Sequence, residues 1–231
     1  MYIAPQKWER CWRGGSSLRK LKAPDVVIRR LALYLRILQQ IDDEEGGRFI
    51  SSKELGDRAG VNSAQVRKDL ALFGEFGKQG VGYEIGYLRE ELRAILNANR
   101  TINVAIVGVG ELGIALARYN LRRFTREKHY PFRLVAAFDN DPAKVGRKIE
   151  KTVEIFPISQ LPERLPELRI DILIITVPAD AAQAVVDLAV KAGVRAILNF
   201  APTKLFVPPK VRLHYSDVSL ELQQLAYYLE S

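Results

Sequence analysis

A glycine-rich turn between a buried strand and a helix constrains the fold of this chain more than any other feature. The apolar run Ile102–Val107 leads into a G-x-G-x-x-G turn, and the helical pattern of Leu112–Phe124 follows it. In such a turn the first glycine permits the tight bend, the second lets a pyrophosphate approach the backbone, and the third allows the helix to pack closely on the strand. The helix N-terminus also offers free N–H groups to an anion. The predicted contacts are Gly108, Val109, Gly110, Glu111, Leu112 and Gly113.

Further strands and helices alternate after this turn. The apolar, β-branched runs Leu134–Phe138, Ile172–Thr176 and Ala196–Leu198 are typical of buried parallel strands, and Ala181–Ala192 has a helical pattern. This alternation predicts an α/β domain, a Rossmann-like doubly wound parallel sheet. With the turn in its expected place between strand and helix, the pattern favours a dinucleotide site over a turn that serves packing alone.

Residues at the carboxyl ends of the later strands complete the predicted dinucleotide site. Asp139 ends the second strand, where a carboxylate binds ribose hydroxyls, and no basic residue follows immediately, so NADH or NAD+ is favoured over NADP(H). Asp139 lies 26 residues after Gly113, more than the usual spacing of about 20, and the basic segment 122–130 accounts for the excess. The remaining candidate contacts are Asn140, Thr176, Val177, Pro178, Asn199 and Phe200. The segments 176–178 and 199–202, to which five of these residues belong, are interpreted equally well as loops stabilised by proline.

A helix-turn-helix pattern precedes the sheet. Ser51 and Glu54 form a capping box, Gly60 ends that helix, and Asn62 caps a second helix predicted to reach Phe73. A glycine-rich hairpin over residues 76–83 follows and predicts a wing. The predicted DNA contacts are Ser63, Gln65, Arg67 and Lys68 on the second helix and Lys78 and Gln79 near the hairpin tip. The alternative is a helical subdomain with a solvated charged face.

The charge composition of the chain is only weak evidence for DNA binding. The net charge is +8, but six basic residues and one acidic residue in segment 1–22 supply +5 of it, so the charge says little about the rest of the chain. That segment is predicted to be a disordered basic extension. The chain has one cysteine and no apolar run of the roughly 18 residues that a membrane span needs, which favours a cytoplasmic protein without disulfides.

The sequence offers no obvious acid–base catalyst. Its two histidines, His129 and His214, are predicted to lie away from the carboxyl ends of strands, and a hydride-transferring enzyme needs such a group beside its cofactor. A dinucleotide site without a catalyst predicts a sensor rather than an enzyme. A final helix over Ser216–Ser231 has a large apolar face that must pack against something.

Three groups of residues resemble the Rex family of redox-sensing repressors. They are the winged-helix segments 65–70, 73–77 and 80–83, the Gly108–Gly113 turn with the segment 138–142, and the segment 199–202. The resemblance covers the chain from about Ala23 onward. It implies a cytoplasmic homodimer that represses transcription from palindromic double-stranded operator DNA and leaves the operator when NADH binds.

The resemblance also implies roles for particular residues. It implies that Gln65, Arg67 and Lys68 contact DNA, that Lys78 acts from the wing, and that the final helix is exchanged between subunits. A triad linking the domains is implied at Arg36, Tyr119 and Asp217. The chain departs from the family pattern at Gln79, where a basic wing residue is expected, in the long 122–130 segment, and in residues 1–22.

The expected organisation has four parts: the extension 1–22, a DNA-binding domain 23–100, an NAD(H)-binding domain 101–215 and a dimerisation helix 216–231. Two other functions fit the fold. One is an NAD-dependent oxidoreductase with a helical extension, and the other is a module that binds coenzyme A or another nucleotide.

Overall fold

The computed structural model describes residues 23–41 and 48–229, which divide into two compact units between Asn97 and Ala98. The predicted basic extension 1–22 lies outside the described residues. So does segment 42–47. Each unit is described separately below.

The first unit is a winged helix. Its helices are α1 (Asp25–Gln40), α2 (Ser52–Ala59), α3 (Ser63–Ala71) and α4 (Ile85–Ile95), and its strands are β1 (Phe49–Ile50), β2 (Gly77–Lys78) and β3 (Gly82–Glu84). The three short strands form an antiparallel sheet in the order β1-β3-β2. Leu31, Leu38, Leu55 and Leu88 are fully buried and hold the helices together.

The predicted N-caps and the glycine that ends α2 are present in the helix-turn-helix. Ser51 Oγ accepts a hydrogen bond from the Glu54 backbone N–H at 3.0 Å, and Asn62 Oδ1 accepts one from the Gln65 N–H at 2.8 Å. These bonds satisfy backbone donors at the starts of α2 and α3. Gly60 ends α2 in the left-handed conformation at φ 69°, which glycine adopts without steric cost. Helix α3 ends at Ala71, two residues before the predicted end at Phe73.

The second unit is a seven-stranded sheet with helices on both faces. Its strands are β4 (Ile102–Val107), β5 (Phe132–Asp139), β6 (Lys148–Ile149), β7 (Val153–Pro157), β8 (Ile172–Ile175), β9 (Ala196–Asn199) and β10 (Arg212–Tyr215). Its helices are α5 (Glu111–Arg126), α6 (Leu161–Glu167), α7 (Ala179–Lys191) and α8 (Val218–Ala226), with a 3-10 turn at Ile158–Gln160.

The order of the strands confirms the predicted Rossmann topology. Across the sheet they run β10-β9-β8-β4-β5-β7-β6, and all pairs are parallel except β6 with β7. Without β6, this is the doubly wound order whose switch point lies between β4 and β8. Separate apolar clusters pack on the two faces, one around Phe138 and Leu173 and the other around Ile106 and Ala117.

Two sequence-based predictions were wrong in this unit. His214 was predicted to lie away from the carboxyl ends of strands, but it is the third of four residues in β10, next to the carboxyl end of that strand, and pairs with Leu198. The last helix was predicted over Ser216–Ser231, but α8 starts at Val218, because the Asp217 carboxylate caps it, and is regular only to Ala226.

Candidate nucleic-acid and dinucleotide sites

Helix α3 turns a buried apolar side toward the first unit and a cationic side toward solvent. Val66 and Leu70 are buried in the core, whereas Arg67 and Lys68 are exposed. The Arg67 guanidinium donates to Ser52 Oγ at 2.9 Å, which ties α3 to α2. The predicted DNA contact Ser63 is the first residue of α3 and is half-buried. The structure therefore leaves Arg67 and Lys68 open to solvent, with Ser63 partly so at the start of the helix.

Gln65 differs from the other predicted DNA contacts because its amide already has a partner. Its Nε2 donates to Asp69 Oδ1 at 2.7 Å, one helical turn further along α3. Asp69 is buried and ionised, and an ionised carboxylate only accepts hydrogen bonds, so the NH2 end of the Gln65 amide must face inward. The Gln65 amide therefore belongs in part to the interior of the first unit.

Asp69 is the centre of a buried polar network that the sequence did not reveal. Arg30 on α1 donates to both of its oxygens, at 2.5 and 2.7 Å, and the Tyr34 hydroxyl donates to Oδ2 at 2.9 Å. Burial by itself would raise the pKa of Asp69, but the hydrogen bonds from Arg30, Gln65 and Tyr34 outweigh it and hold the pKa below its usual value. The network fastens the candidate recognition helix to α1.

The wing forms a groove with α3. A cavity of about 680 Å³ lies between them, and its polar lining includes Arg67, Lys78 and Gln79. The hairpin crosses close to β1 at Gly82, which has φ 101° and where a Cβ would stand 2.5 Å from the Ile50 carbonyl oxygen. Only glycine fits there without a shift of the backbone. The structure thus brings the two predicted wing residues and Arg67 to one groove.

The glycine turn of the second unit has the three properties that a pyrophosphate site needs. Gly108 has φ 95°, and a Cβ there would meet the Thr176 carbonyl oxygen at 2.6 Å. A Cβ on Gly113 would overlap the Gly108 carbonyl oxygen, so Gly113 serves packing of α5 on the turn. Gly110 is the opposite case, since no atom lies within 4 Å of its Cβ position. That open position is where a ligand can reach the backbone at the start of α5.

A cavity of about 630 Å³ adjoins this turn at the carboxyl edge of the sheet. Its volume is in the range of small-molecule sites. Nine of the predicted contacts line it: Gly108, Gly110, Leu112, Asp139, Asn140, Thr176, Val177, Pro178 and Phe200. Sequence reasoning missed Lys144 and Ile158 and the apolar wall that α7 contributes through Ala181, Ala184, Val185 and Leu188.

Asp139 is held in place by backbone donors of two segments. Its Oδ2 accepts from the Val109 N–H at 2.6 Å and its Oδ1 from the Asp141 N–H at 2.8 Å. Burial opposes ionisation, but these bonds and the nearby Lys144 ammonium, 3.4 Å from Oδ2, lower the pKa of Asp139. Lys144 also lies 3.6 Å from Asp141, so two carboxylates share one ammonium at this end of the cavity.

Four predicted contacts do not line the cavity, namely Val109, Glu111, Gly113 and Asn199. Val109 is buried and acts through its backbone N–H on Asp139. Asn199 is buried too, and its amide accepts from the Ala201 N–H at 2.9 Å and donates to the Ala201 carbonyl at 2.9 Å. Those bonds shape the loop after β9, which is the loop alternative that the sequence left open.

The three residues of the implied triad lie on different elements. Arg36 is exposed on α1 in the first unit, whereas Tyr119 and Asp217 belong to the second. Tyr119 on α5 accepts a hydrogen bond from Arg123 Nη1 at 3.3 Å and has 56% of its surface exposed. Asp217 caps α8 through a bond from the Ser219 N–H at 2.9 Å.

Two features are absent from the described residues. Across residues 23–41 and 48–229, no helix has the length and apolar content to cross a membrane. Within the same ranges no group of three or more His, Cys, Asp or Glu side chains is placed to hold a metal ion.

A winged helix joined to a Rossmann domain with an open glycine turn defines a class of DNA-binding regulators that carry a nucleotide-binding domain. The redox-sensing transcriptional repressor Rex of Brevibacillus brevis is 46% identical over 208 residues, which is 90% of this chain and 97% of that protein. Rex of Chloroflexus aurantiacus is 47% identical over 89% of this chain and 94% of its own length. The chain belongs to the Rex family of redox-sensing transcriptional repressors.

Solved structures and family models agree with this placement. RSP, a Rex-family repressor, matches with TM-score 0.78 and 36% identity over 90% of this chain and 95% of its own. The complex of RSP with beta-NAD+ and operator DNA matches with TM-score 0.81 and 37% identity over 90% of this chain and 93% of its own. A model described as a CoA binding domain matches residues 99–203, and one described as a putative DNA-binding protein N-terminus matches residues 22–71.

Proposed function

We propose that this chain binds palindromic operator DNA as a homodimer and leaves it when its dinucleotide cleft holds NADH, with NAD+ competing for the same cleft to less effect. One observation carries the proposal: a cationic recognition helix and an open glycine turn stand on the same chain, each with the geometry its ligand requires. Family membership makes the protein a regulator, and the relatives crystallised with operator DNA and NAD+ and with NADH support the choice of both ligands.

On DNA, α3 enters a major groove. The exposed Lys68 and the Arg67 guanidinium supply charge to phosphates and base edges, with Ser63 at the start of the helix. Lys78 and Gln79 follow the backbone from the wing. Gln65 contributes the part of its amide that Asp69 leaves available, with its orientation already set. Gln79 adds no charge, so the phosphate contact of this wing rests on Lys78.

In the cleft, the pyrophosphate lies over Gly110 at the N-terminus of α5, and the Asp139 carboxylate accepts hydrogen bonds from ribose hydroxyls. Two carboxylates around one Lys144 ammonium leave a net negative charge there, which disfavours the 2′-phosphate of NADP(H). Thr176, Pro178 and Phe200 supply the wall on the carboxyl edge.

The dimer uses α8. Its apolar side chains Leu220, Leu222 and Leu225 are each about 60% exposed in the single chain, a costly arrangement unless a second chain covers them. We assign the response to NADH to Arg36, Tyr119 and Asp217. We assign residues 23–100 to DNA binding, 101–215 to the dinucleotide and 216–231 to dimerisation, and we place the protein in the cytoplasm.

Fluorescence anisotropy tests the proposal. A pool of labelled genomic fragments is selected on the protein at fixed salt, and a recovered palindrome is titrated with and without NADH or NAD+. We expect NADH to release the DNA at concentrations at which NAD+ does not. Specific binding that NADH leaves unchanged would mean that the cleft senses another ligand, and no specific binding at all would refute the repressor.

Two variants separate the sites. Lys68→Ala should weaken operator binding and lower the salt dependence of binding by about one unit of slope, because one phosphate contact is lost. Lys191→Ala, an exposed lysine at the end of α7, is the matched control and should change neither. Gly110→Val should leave operator affinity intact and abolish release by NADH, since the side chain occupies the open position at the turn.

A further inference from the structure

A second large cavity lies at the opposite edge of the sheet in the second unit. It has a volume of about 740 Å³, and its lining includes Asn103 near the start of β4, Arg133 near the start of β5 and Val153 at the start of β7. These positions mark the amino edge of the parallel strands. The dinucleotide cleft is built on the carboxyl edge, so the two cavities are separate.

Three arginines line this cavity from two elements. Arg122 and Arg126 stand one turn apart on α5, and Arg133 reaches it from β5. Among residues 23–41 and 48–229, none of these three side chains has a hydrogen-bond or ion-pair partner. The single carboxylate in the lining, Glu150, is taken by Arg118 at 2.8 Å. The cavity therefore concentrates positive charge that the described protein does not neutralise.

Ordinary helix electrostatics explain only part of this cluster. Cations near a helix C-terminus are favoured by the helix dipole, which accounts for a basic residue such as Arg126. Arg133 lies on a strand, outside that effect. Like charges four residues apart, as in Arg122 and Arg126, are unfavourable on a helix. Arg123, between them, is instead satisfied by two hydrogen bonds to Glu127, which shows how this segment pairs an arginine when no ligand is needed.

The rest of the lining fixes the kind of anion. Leu121, Phe124, Leu134 and Leu168 give the cavity an apolar floor, and Phe124 leaves 38% of its surface exposed. The hydroxyls of Thr125 and Thr152 already donate to backbone carbonyls of their own segments. The donors left for a ligand are guanidinium groups, whose planar fork matches phosphate oxygens in pairs.

We propose that this cavity, built by Arg122, Arg126 and Arg133 over an apolar floor, binds a small phosphorylated metabolite independently of the dinucleotide cleft. The site gives a role to the long basic segment 122–130, which begins within the last part of α5. It goes beyond the repressor function and does not depend on it.

Isothermal titration calorimetry with inorganic pyrophosphate tests the site. The full chain is first saturated with NADH to block the glycine turn, and the salt is kept below about 0.1 M so that exposed charges are not screened. We expect saturable binding by the wild type. Arg126→Ala and Arg133→Ala should each weaken it by about tenfold or more, since each removes hydrogen bonds to a charged group. Arg195→Ala, an exposed arginine outside the cavity, should leave it unchanged.

Two further arms make the result decisive. Arg133→Lys keeps the charge but loses the fork, so binding should fall as well, whereas a diffuse charge effect would leave it at the wild-type level. NADH affinity and thermal unfolding, measured on the same samples, should not change and would separate a folding defect from a lost site. No pyrophosphate binding by the wild type would overturn the proposal. So would variants that weaken operator binding but bind pyrophosphate normally, because the arginines would then contact the DNA backbone.

Discussion

The buried carboxylate of Asp69 is expected to be the most sensitive single group in the first unit. Asp69→Asn keeps the size of the side chain but removes its charge and replaces one acceptor with a donor that faces Arg30. Asp69 has no exposed surface and accepts four hydrogen bonds, two of them from Arg30. The substitution therefore leaves a cation and at least one donor without their partner.

The size of the effect follows from these contacts. Removing one member of a buried ion pair costs about 3–5 kcal/mol, and each hydrogen bond to a charged group contributes about 1.5–3 kcal/mol. The Arg30 side chain is 20% exposed, so water recovers part of the loss. We expect the free energy of unfolding of the first unit to fall by about 3 kcal/mol. For a unit of this size, that change lowers the thermal unfolding midpoint by more than about 10 °C.

Urea denaturation of the full chain, followed by far-UV circular dichroism, measures the change. Hydrogen exchange of the α1 and α3 amides assigns the transition to the first unit. Asp57→Asn is the matched control, because Asp57 is exposed on α2 and the chemical change is identical. If Asp69→Asn lowers the free energy of unfolding by an amount within about 1 kcal/mol of that for Asp57→Asn, the reasoning is refuted. Replacing a buried, hydrogen-bonded carboxylate should destabilise the unit more than replacing an exposed one.

Three other predictions follow from groups described above. Folding lowers the pKa of Asp69, so its contribution to stability is complete above the unfolded pKa of about 3.9 and is lost as the pH falls through the folded pKa. When the free energy of unfolding is measured against pH, the first unit should therefore lose stability below about pH 4 in the wild type and lose less in Asp69→Asn. Asn199→Ala should destabilise the second unit by about 2 kcal/mol in thermal unfolding, because buried backbone groups of the loop after β9 lose their partner. Leu225→Asp should convert a dimer to a monomer in sedimentation velocity, because it places a charge on the exposed apolar side of α8.

Each of these predictions has a contrary outcome. Equal acid sensitivity of the wild type and the Asp69 variant would remove the carboxylate from the acid transition. A drop in NADH affinity at unchanged stability would make Asn199 a ligand contact rather than a loop residue. Gln224→Asp is the control for Leu225, and a dimer that survives both changes would exclude α8 as its interface.

The elements with strong local signals could be predicted from the sequence. Ser51, Gly60 and Asn62 mark helix ends by mechanisms that act over three or four residues, and the glycine turn requires only a strand before it and a helix after it. The central strands are continuous apolar runs buried on both faces. These signals were enough to place the winged helix and most of the dinucleotide cleft.

The elements that were missed lack such signals. Strand β10 has the sequence Arg-Leu-His-Tyr and lies at the edge of the sheet, where one parallel neighbour suffices and no apolar run is needed. Helix α6 contains Pro162 and Pro166, and two prolines so close together are more typical of a loop. Pro162, however, lies in the first turn of the helix, where proline is tolerated.

Side-chain contacts between distant segments could not be predicted from the sequence either. Nothing in the chain indicates that Gln65 shares a carboxylate with Arg30, 35 residues earlier on another helix. The same is true of Lys144, which the fold brings to Asp139. Such pairings depend on how helices pack, and packing is not encoded in any local pattern.

The bond from the Val109 N–H to Asp139 also has an energetic consequence for switching. It joins the glycine turn to the end of β5, so the parts of the cleft that we propose for pyrophosphate and ribose are already fastened to each other without a ligand. A preorganised cleft loses little conformational entropy on binding. Moving a two-state equilibrium from 1:99 to 99:1 requires about 5.5 kcal/mol of difference between the affinities of the two states. Because little of the binding free energy is needed to order the cleft, more of it is available to distinguish the DNA-bound conformation from the released one.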